Sequence, residues 1–191
     1  MGDQPCGETA TADLVKQALC RDGRAWEALI GRFSLRVRAV VRSYGLSRHD
    51  AEDVEQTVWC VLADHLPRIR DPGHVGAWLA ATTHNECRRQ LRLSRRTAPE
   101  DPALLDSADP RSPEALHLAA ERDRGVRRAI SGLDEPERTL AAIDLYSPRT
   151  RVAEVAEFTG LPPGLIRVAR RRMRRRLRRI LTEDHRQDDQ R

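Results

Sequence analysis

Two groups of residues in this chain are placed to do opposite electrostatic work. Glu52, Asp53 and Gln56, with Asp50, gather on the polar side of one helical stretch, while Val54, Val58, Val61 and Leu62 mark its apolar side. Far along the chain, nine arginines and no acid lie between Ile166 and Leu181. Between these extremes, Arg68, Arg70 and His74 occupy a stretch broken by Pro67, Pro72, Gly73 and Gly76, and His84, Asn85, Arg88 and Arg92 line the helical pattern that follows. The chemistry open to such groups is binding. Carboxylates offer acceptors to a cationic partner, and guanidinium groups grip phosphate and base edges. On the residues alone, the acidic side is equally an ordinary solvated helix face, and the arginines a general polyanion-binding surface, RNA included.

Composition narrows what can position these groups. The chain has 191 residues, a formal charge of +5 and a pI near 9.5, with Lys16 its only lysine, so its positive charge is almost all guanidinium. That length suits one domain or two small ones. Aromatic residues make up 4% and charged residues 33%, so the core must be built from Leu, Val, Ile and Ala, which favours helices. Cys6, Cys20, Cys60 and Cys87 form no C-x-x-C pair, and Cys60 and Cys87 fall in helical patterns as small buried hydrophobes, so reduced thiols are expected. His84 and Cys87 stand three apart without a second ligand pair, and no metal or cofactor is expected. No phosphate-cradling glycine loop and no nucleophile with its base are present, so the chain is expected not to be an enzyme. No apolar run approaches the roughly 18 residues of a membrane span, and no signal pattern opens the chain. The expectation is a soluble, cytoplasmic protein without membrane contact.

In chain order, residues 1–12 read as a flexible leader, and a short helix follows from Asp13 to Leu19. Trp26, Leu29, Ile30, Phe33, Val37, Val40, Val41 and Tyr44 predict a strong amphipathic helix that Gly45 ends, its apolar face packing on the Val54 to Leu62 stripe. Ser47 is the N-cap of the acidic helix, with Asp50 three residues on. Trp78 and Leu79 start the next helix and anchor it in the core. Residues 98–118 are rich in Pro and acids and read as a linker. Beyond it, Asp134 and Glu137 make a capping-box-like start, Val152, Val155 and Ala156 a short helix, Gly160 a turn and Pro163 the first turn of a long final helix. Ile166, Ala169, Met173, Leu177 and Ile180 give that helix one apolar stripe, and the spacing is that of a helix-turn-helix, whose second helix enters the major groove.

The block DAEDVEQTVW at residues 50–59, followed by LPRIRDP and by AWLAATTHNE at residues 77–86, resembles region 2 of bacterial RNA polymerase sigma factors of the extracytoplasmic-function type. VAEVAEFTGLPPG and the Arg-rich helix after it are similar to region 4 of the same family. The resemblance implies an all-α chain of two small helical domains. Residues 13–97 would be region 2-like, 98–118 an acidic Pro-rich linker, 119–182 a region 4-like helix-turn-helix and 183–191 a polar tail. It implies a subunit that binds core RNA polymerase and directs promoter recognition, DNA opening and transcription initiation, with an anti-sigma factor as a further candidate partner. Asp50, Glu52, Asp53 and Gln56 would then dock on the polymerase. Arg68, Arg70, His74, His84, Asn85, Arg88 and Arg92 would meet the minus-10 element, and Arg167, Arg170, Arg171 and Arg174 the minus-35 element.

Trp78 is the only aromatic ring besides histidine between Pro67 and Arg96, so base stacking cannot be the main opening device. Capture of an extruded base in the 67–76 loop, with Arg70 or His74, fits better. The chain departs from the family at His84, where arginine is common, and at Leu165, Val168 and Ala169, where polar residues are. The competing reading is a stand-alone helix-turn-helix regulator that binds duplex DNA without polymerase.

Overall fold

The computed structural model describes residues 10–97 and 113–188, and every regular element among them is helical. The elements are α1 (Thr11–Leu19), α2 (Gly23–Ser43), α3 (Arg48–His65), two 3-10 turns (Leu66–Arg68 and Pro72–His74), α4 (Val75–Thr97), α5 (Pro113–Ser131), α6 (Glu137–Tyr146), α7 (Val152–Thr159) and α8 (Pro163–Asp188). Residues 1–9 of the expected leader and 98–112 of the expected linker lie outside the described residues.

Local chemistry accounts for most boundaries. The Asp22 carboxylate accepts from the N–H groups of Arg24 and Ala25, so α2 starts at Gly23, ahead of the apolar pattern that announces it. Gly45 follows its end in the left-handed region, at φ 63°. The Ser47 hydroxyl accepts from the Asp50 N–H at 3.1 Å, as expected of an N-cap. Helix α5 opens at Pro113, inside the stretch read as linker, because proline suits a first helical turn and Ala115, Leu116 and Leu118 continue the helix. The expected Asp134 and Glu137 capping box does not form. Pro136 occupies the N-cap position of α6 without a side-chain bond, and both carboxylates face α8 instead. Helix α8 runs to Asp188, through most of the stretch read as a tail.

The all-helical chain has the two expected helical units, and among the described residues their buried side chains join in one contiguous cluster. Leu29, Phe33, Val37 and Val40 of α2 belong to one cluster with Val58 and Leu62 of α3, Leu79 of α4, Leu140 and Ile143 of α6 and Val155 and Phe158 of α7. Phe33 and Phe158 lie with ring centroids 6.3 Å apart. Around them, Arg32 pairs with Glu157 at 3.2 Å and Arg36 with Glu154 at 3.2 Å, while Thr11 donates to Glu157. Helix α2 therefore packs on both halves of the chain, more than the α3 stripe alone that its pattern predicts. Gly76 marks the tightest approach. A Cβ there would come within 2.5 Å of the Glu157 carbonyl oxygen and 3.0 Å of the Phe33 ring.

Gly76→Ala should therefore destabilise the chain by about 1–3 kcal/mol through overpacking against backbone. Gly31→Ala, in the middle of α2 with nothing within 4 Å of the added carbon, should instead stabilise by about 0.5–1 kcal/mol. Urea unfolding of both variants checks the pair, and a similar loss in both would show that α4 and α7 do not meet as described.

Candidate functional site

The acidic surface is built on α3. Val54, Val58 and Leu62 are buried, which turns Glu52, Asp53 and Gln56 to solvent on the far side. Glu52 pairs with Arg48 at 3.0 Å and Asp53 with His49 at 3.5 Å, both exposed pairs one turn apart. Such pairs contribute little, so a partner's cation can replace them at small cost. Asp50, also expected on this surface, is engaged within the fold. Its carboxylate accepts from Gln90 Nε2 at 2.6 Å and Ser94 Oγ at 3.5 Å, which ties α3 to α4. Cys60, expected to be buried, is exposed on this helix, while Cys87 is buried and burial pushes its thiol up to about 12.

Next to this surface, the two 3-10 turns set Arg68, Arg70 and His74 in solvent. Asp71 organises the second turn by accepting from the Gly73 N–H at 2.9 Å and from His74 Nδ1 at 2.7 Å. The His74 bond, then the Gly73 bond, hold the Asp71 carboxyl below its usual range. Asn85, Arg88 and Arg92 follow at three- and four-residue steps on the outer side of α4. Arg88 reaches Glu135 at 2.8 Å and Asn85 Oδ1 at 3.2 Å. Trp78, expected in the core, is partly buried and lies against the His65 ring at 5.6 Å.

His84 does not join this row. It is 0% exposed, with Nδ1 2.8 Å from the Tyr44 hydroxyl and Nε2 2.9 Å from the Thr139 hydroxyl. One nitrogen of a neutral imidazole accepts and the other donates, which suits two hydroxyls. Burial, then the charges of Arg138 and Arg88, lower its pKa to about 3. In this arrangement His84 joins α2, α4 and α6 and has no path to a nucleic acid. The signal was local: Ala80, His84, Cys87 and Leu91 share one helical stripe, and Ala80 and Cys87 are buried.

The cationic surface at the other end is α7 turning into α8. Gly160 takes the left-handed conformation at φ 70°, which a side chain rarely tolerates, and Val155, Phe158, Ile166 and Met173 seat both helices in the core. The arginines of α8 then divide. Arg170 and Arg174 meet Asp144 at 2.8 and 3.5 Å, Arg172 meets Glu137 at 2.9 Å, and Arg176 meets Asp134 and Glu137 at 2.6 and 3.2 Å. Arg167, Arg171, Arg175 and Arg178 are exposed and have no acidic partner among the described residues. Of the expected minus-35 residues, Arg167 and Arg171 thus face outward, while Arg170 and Arg174 are engaged with α6. Asp144, a lone acid in the apolar stretch of α6, and Glu135 are partners that reading the chain in order does not supply.

Residues 29–97, which span most of α2 and all of α3 and α4, match the family model for sigma-70 region 2. Over 181 residues the chain is 26% identical to the ECF RNA polymerase sigma factor ShbA of Streptomyces griseus subsp. griseus, covering 89% of this chain and 94% of that protein. The fold is similar to that of a solved structure described as CnrH in complex with the cytosolic domain of CnrY. The TM-score is 0.56 at 23% identity, over 92% of this chain and 99% of that one.

Below its ordinary pKa of 6.5, His84 is protonated in the unfolded chain but stays neutral in the fold until about pH 3. Its contribution to stability is therefore complete above pH 6.5 and is lost as pH falls from there toward 3. Urea unfolding should show midpoints that decline over this window, and His84→Gln should flatten the decline. An imidazole that titrates normally by NMR in the folded chain would contradict the assignment.

Proposed function

We infer that this chain is a transcription-initiation sigma factor of the extracytoplasmic-function type, which binds core RNA polymerase through Glu52, Asp53 and Gln56 and opens and reads promoter DNA through two cationic surfaces. The observation that carries this reading is the order of surfaces on one chain. An exposed acidic helix face is followed by a cationic loop and helix, and then by a helix-turn-helix whose outward arginines have no acidic partner among the described residues. A repressor of the helix-turn-helix kind has no use for the first two.

In this account the 67–76 loop captures an extruded base of the minus-10 element with Arg70 or His74, and Asn85, Arg88 and Arg92 hold the strand. Asp50 acts one step back, by holding α3 against α4 so that the polymerase-binding and strand-holding surfaces keep their relation. Helix α8 reads the minus-35 element as duplex. Docking on polymerase sets the two readers at one separation, so each weak DNA contact raises the local concentration of the other. An anti-sigma factor would act by covering either surface. The stand-alone regulator remains the competing reading and requires none of α3's exposed acids.

Two outcomes follow. Wild-type chain should co-purify stoichiometrically with bacterial core RNA polymerase, and an Asp53→Ala, Gln56→Ala double variant should bind at least about ten-fold more weakly, the range of truncating central interface contacts. If neither binds polymerase while both bind duplex DNA, the regulator reading stands. Second, Glu135→Gln should release Arg88 and strengthen retention of single-stranded minus-10 DNA by the polymerase complex about 1.5- to five-fold, the scale of a half-exposed ion pair. Weaker retention would place Glu135 on the DNA side of the contact.

A further inference from the structure

We propose that Leu165 and Val168 read thymine methyl groups on adjacent base pairs of a duplex element, with Arg167 and Arg171 gripping the guanines or phosphates beside them. The proposal rests on the promoter-reading role of α8 and names what that helix reads. Leu165 is 52% exposed and Val168 63% exposed, among the largest exposed apolar side chains of the chain. Both stand in the first two turns of the second helix of the helix-turn-helix, the part that meets base edges when such a motif enters the major groove.

Their surroundings separate them from isolated surface aliphatics. Ile166 and Met173 occupy the opposite side of α8, which fixes Leu165 and Val168 outward. Arg167 and Arg171 lie alongside, exposed and without acidic partners among the described residues, whereas Arg170 and Arg174 are turned to Asp144. Val168, Arg167 and Arg171 share a groove with Val152 at the start of α7 and Gly164, and Leu165 stands outside it, one turn before Val168. An apolar pair flanked by Arg167 and Arg171 fits a surface that carries methyls in a field of phosphates, as the major groove does at A·T pairs. Helix rise puts Leu165 and Val168 about 4.5 Å apart along the axis, close to one base-pair step of about 3.4 Å. That separation is short enough for the two side chains to share neighbouring pairs, as proposed. Duplex is favoured over a single strand because the two side chains stand on the second helix of a helix-turn-helix, the element that enters the major groove.

The test uses the full chain assembled with bacterial core RNA polymerase and a library of randomised duplex DNA. The element enriched upstream should contain neighbouring thymines. Replacing them with deoxyuridine, which removes only the methyl, should weaken binding about four-fold per position. A Leu165→Ala, Val168→Ala variant keeps helix-forming residues at solvent positions and should still assemble with polymerase, yet should not distinguish thymine from deoxyuridine. If wild type selects a duplex element but is indifferent to deoxyuridine, the inference falls and the initiation-factor reading survives. If the variant keeps the wild-type element and affinity, Leu165 and Val168 face another molecule, RNA or protein, and the inference is overturned. If no assembly with polymerase forms, both fall together.

Discussion

The packing of α2 against both halves of the chain is the contact on which the rest of the structure depends. Phe33 meets Phe158 across it, and Arg36, 3% exposed, meets Glu154 of α7. A guanidinium buried that deeply requires its counter-charge, because losing one member leaves an uncompensated charge in a poor solvent. The pair therefore fixes where α7 can sit. Gly76 then permits the approach of α4 to α7, and Tyr44, His84 and Thr139 close the joint on the other side. The acidic and cationic surfaces owe their relative positions to this joint.

The same economy of charge shapes the two cationic helices. The nine arginines between Ile166 and Leu181 of α8 repel one another, and Asp134, Glu137 and Asp144 of the preceding segment neutralise one side of it. What remains outward is an exposed cationic face without acidic partners among the described residues. On α4, Glu135 occupies Arg88 in a half-exposed pair, which is a contact weak enough for phosphate to displace. The acids thus decide which cations are structural and which stay available.

Much of this was legible in the chain because it is local. The spacing of Val54, Val58 and Leu62 located α3, and Ser47 its start. Gly160 and the apolar stripe from Ile166 to Ile180 located the helix-turn-helix. The failures are non-local. Nothing near Arg170 announces Asp144, 26 residues earlier, and nothing near Glu137 shows that its carboxylate serves α8 and not its own helix end. That α2 packs on α6 and α7 as well as on α3 was equally out of reach, since an apolar stripe tells that a helix is covered and not by what. His84 is the instructive case. Its type suggested a ligand for DNA, while its stripe with Ala80 and Cys87 already placed it inside, and position outweighed type.

The most direct test of the account is to map the 5′ ends of transcripts made by core RNA polymerase on fragmented bacterial genomic DNA, with and without this chain. The account predicts discrete starts that appear only with the chain and share two upstream sequence blocks at a constant separation. That constancy follows from two readers held on one enzyme. Starts unchanged by the chain, together with direct binding of the chain alone to duplex sites, would contradict it.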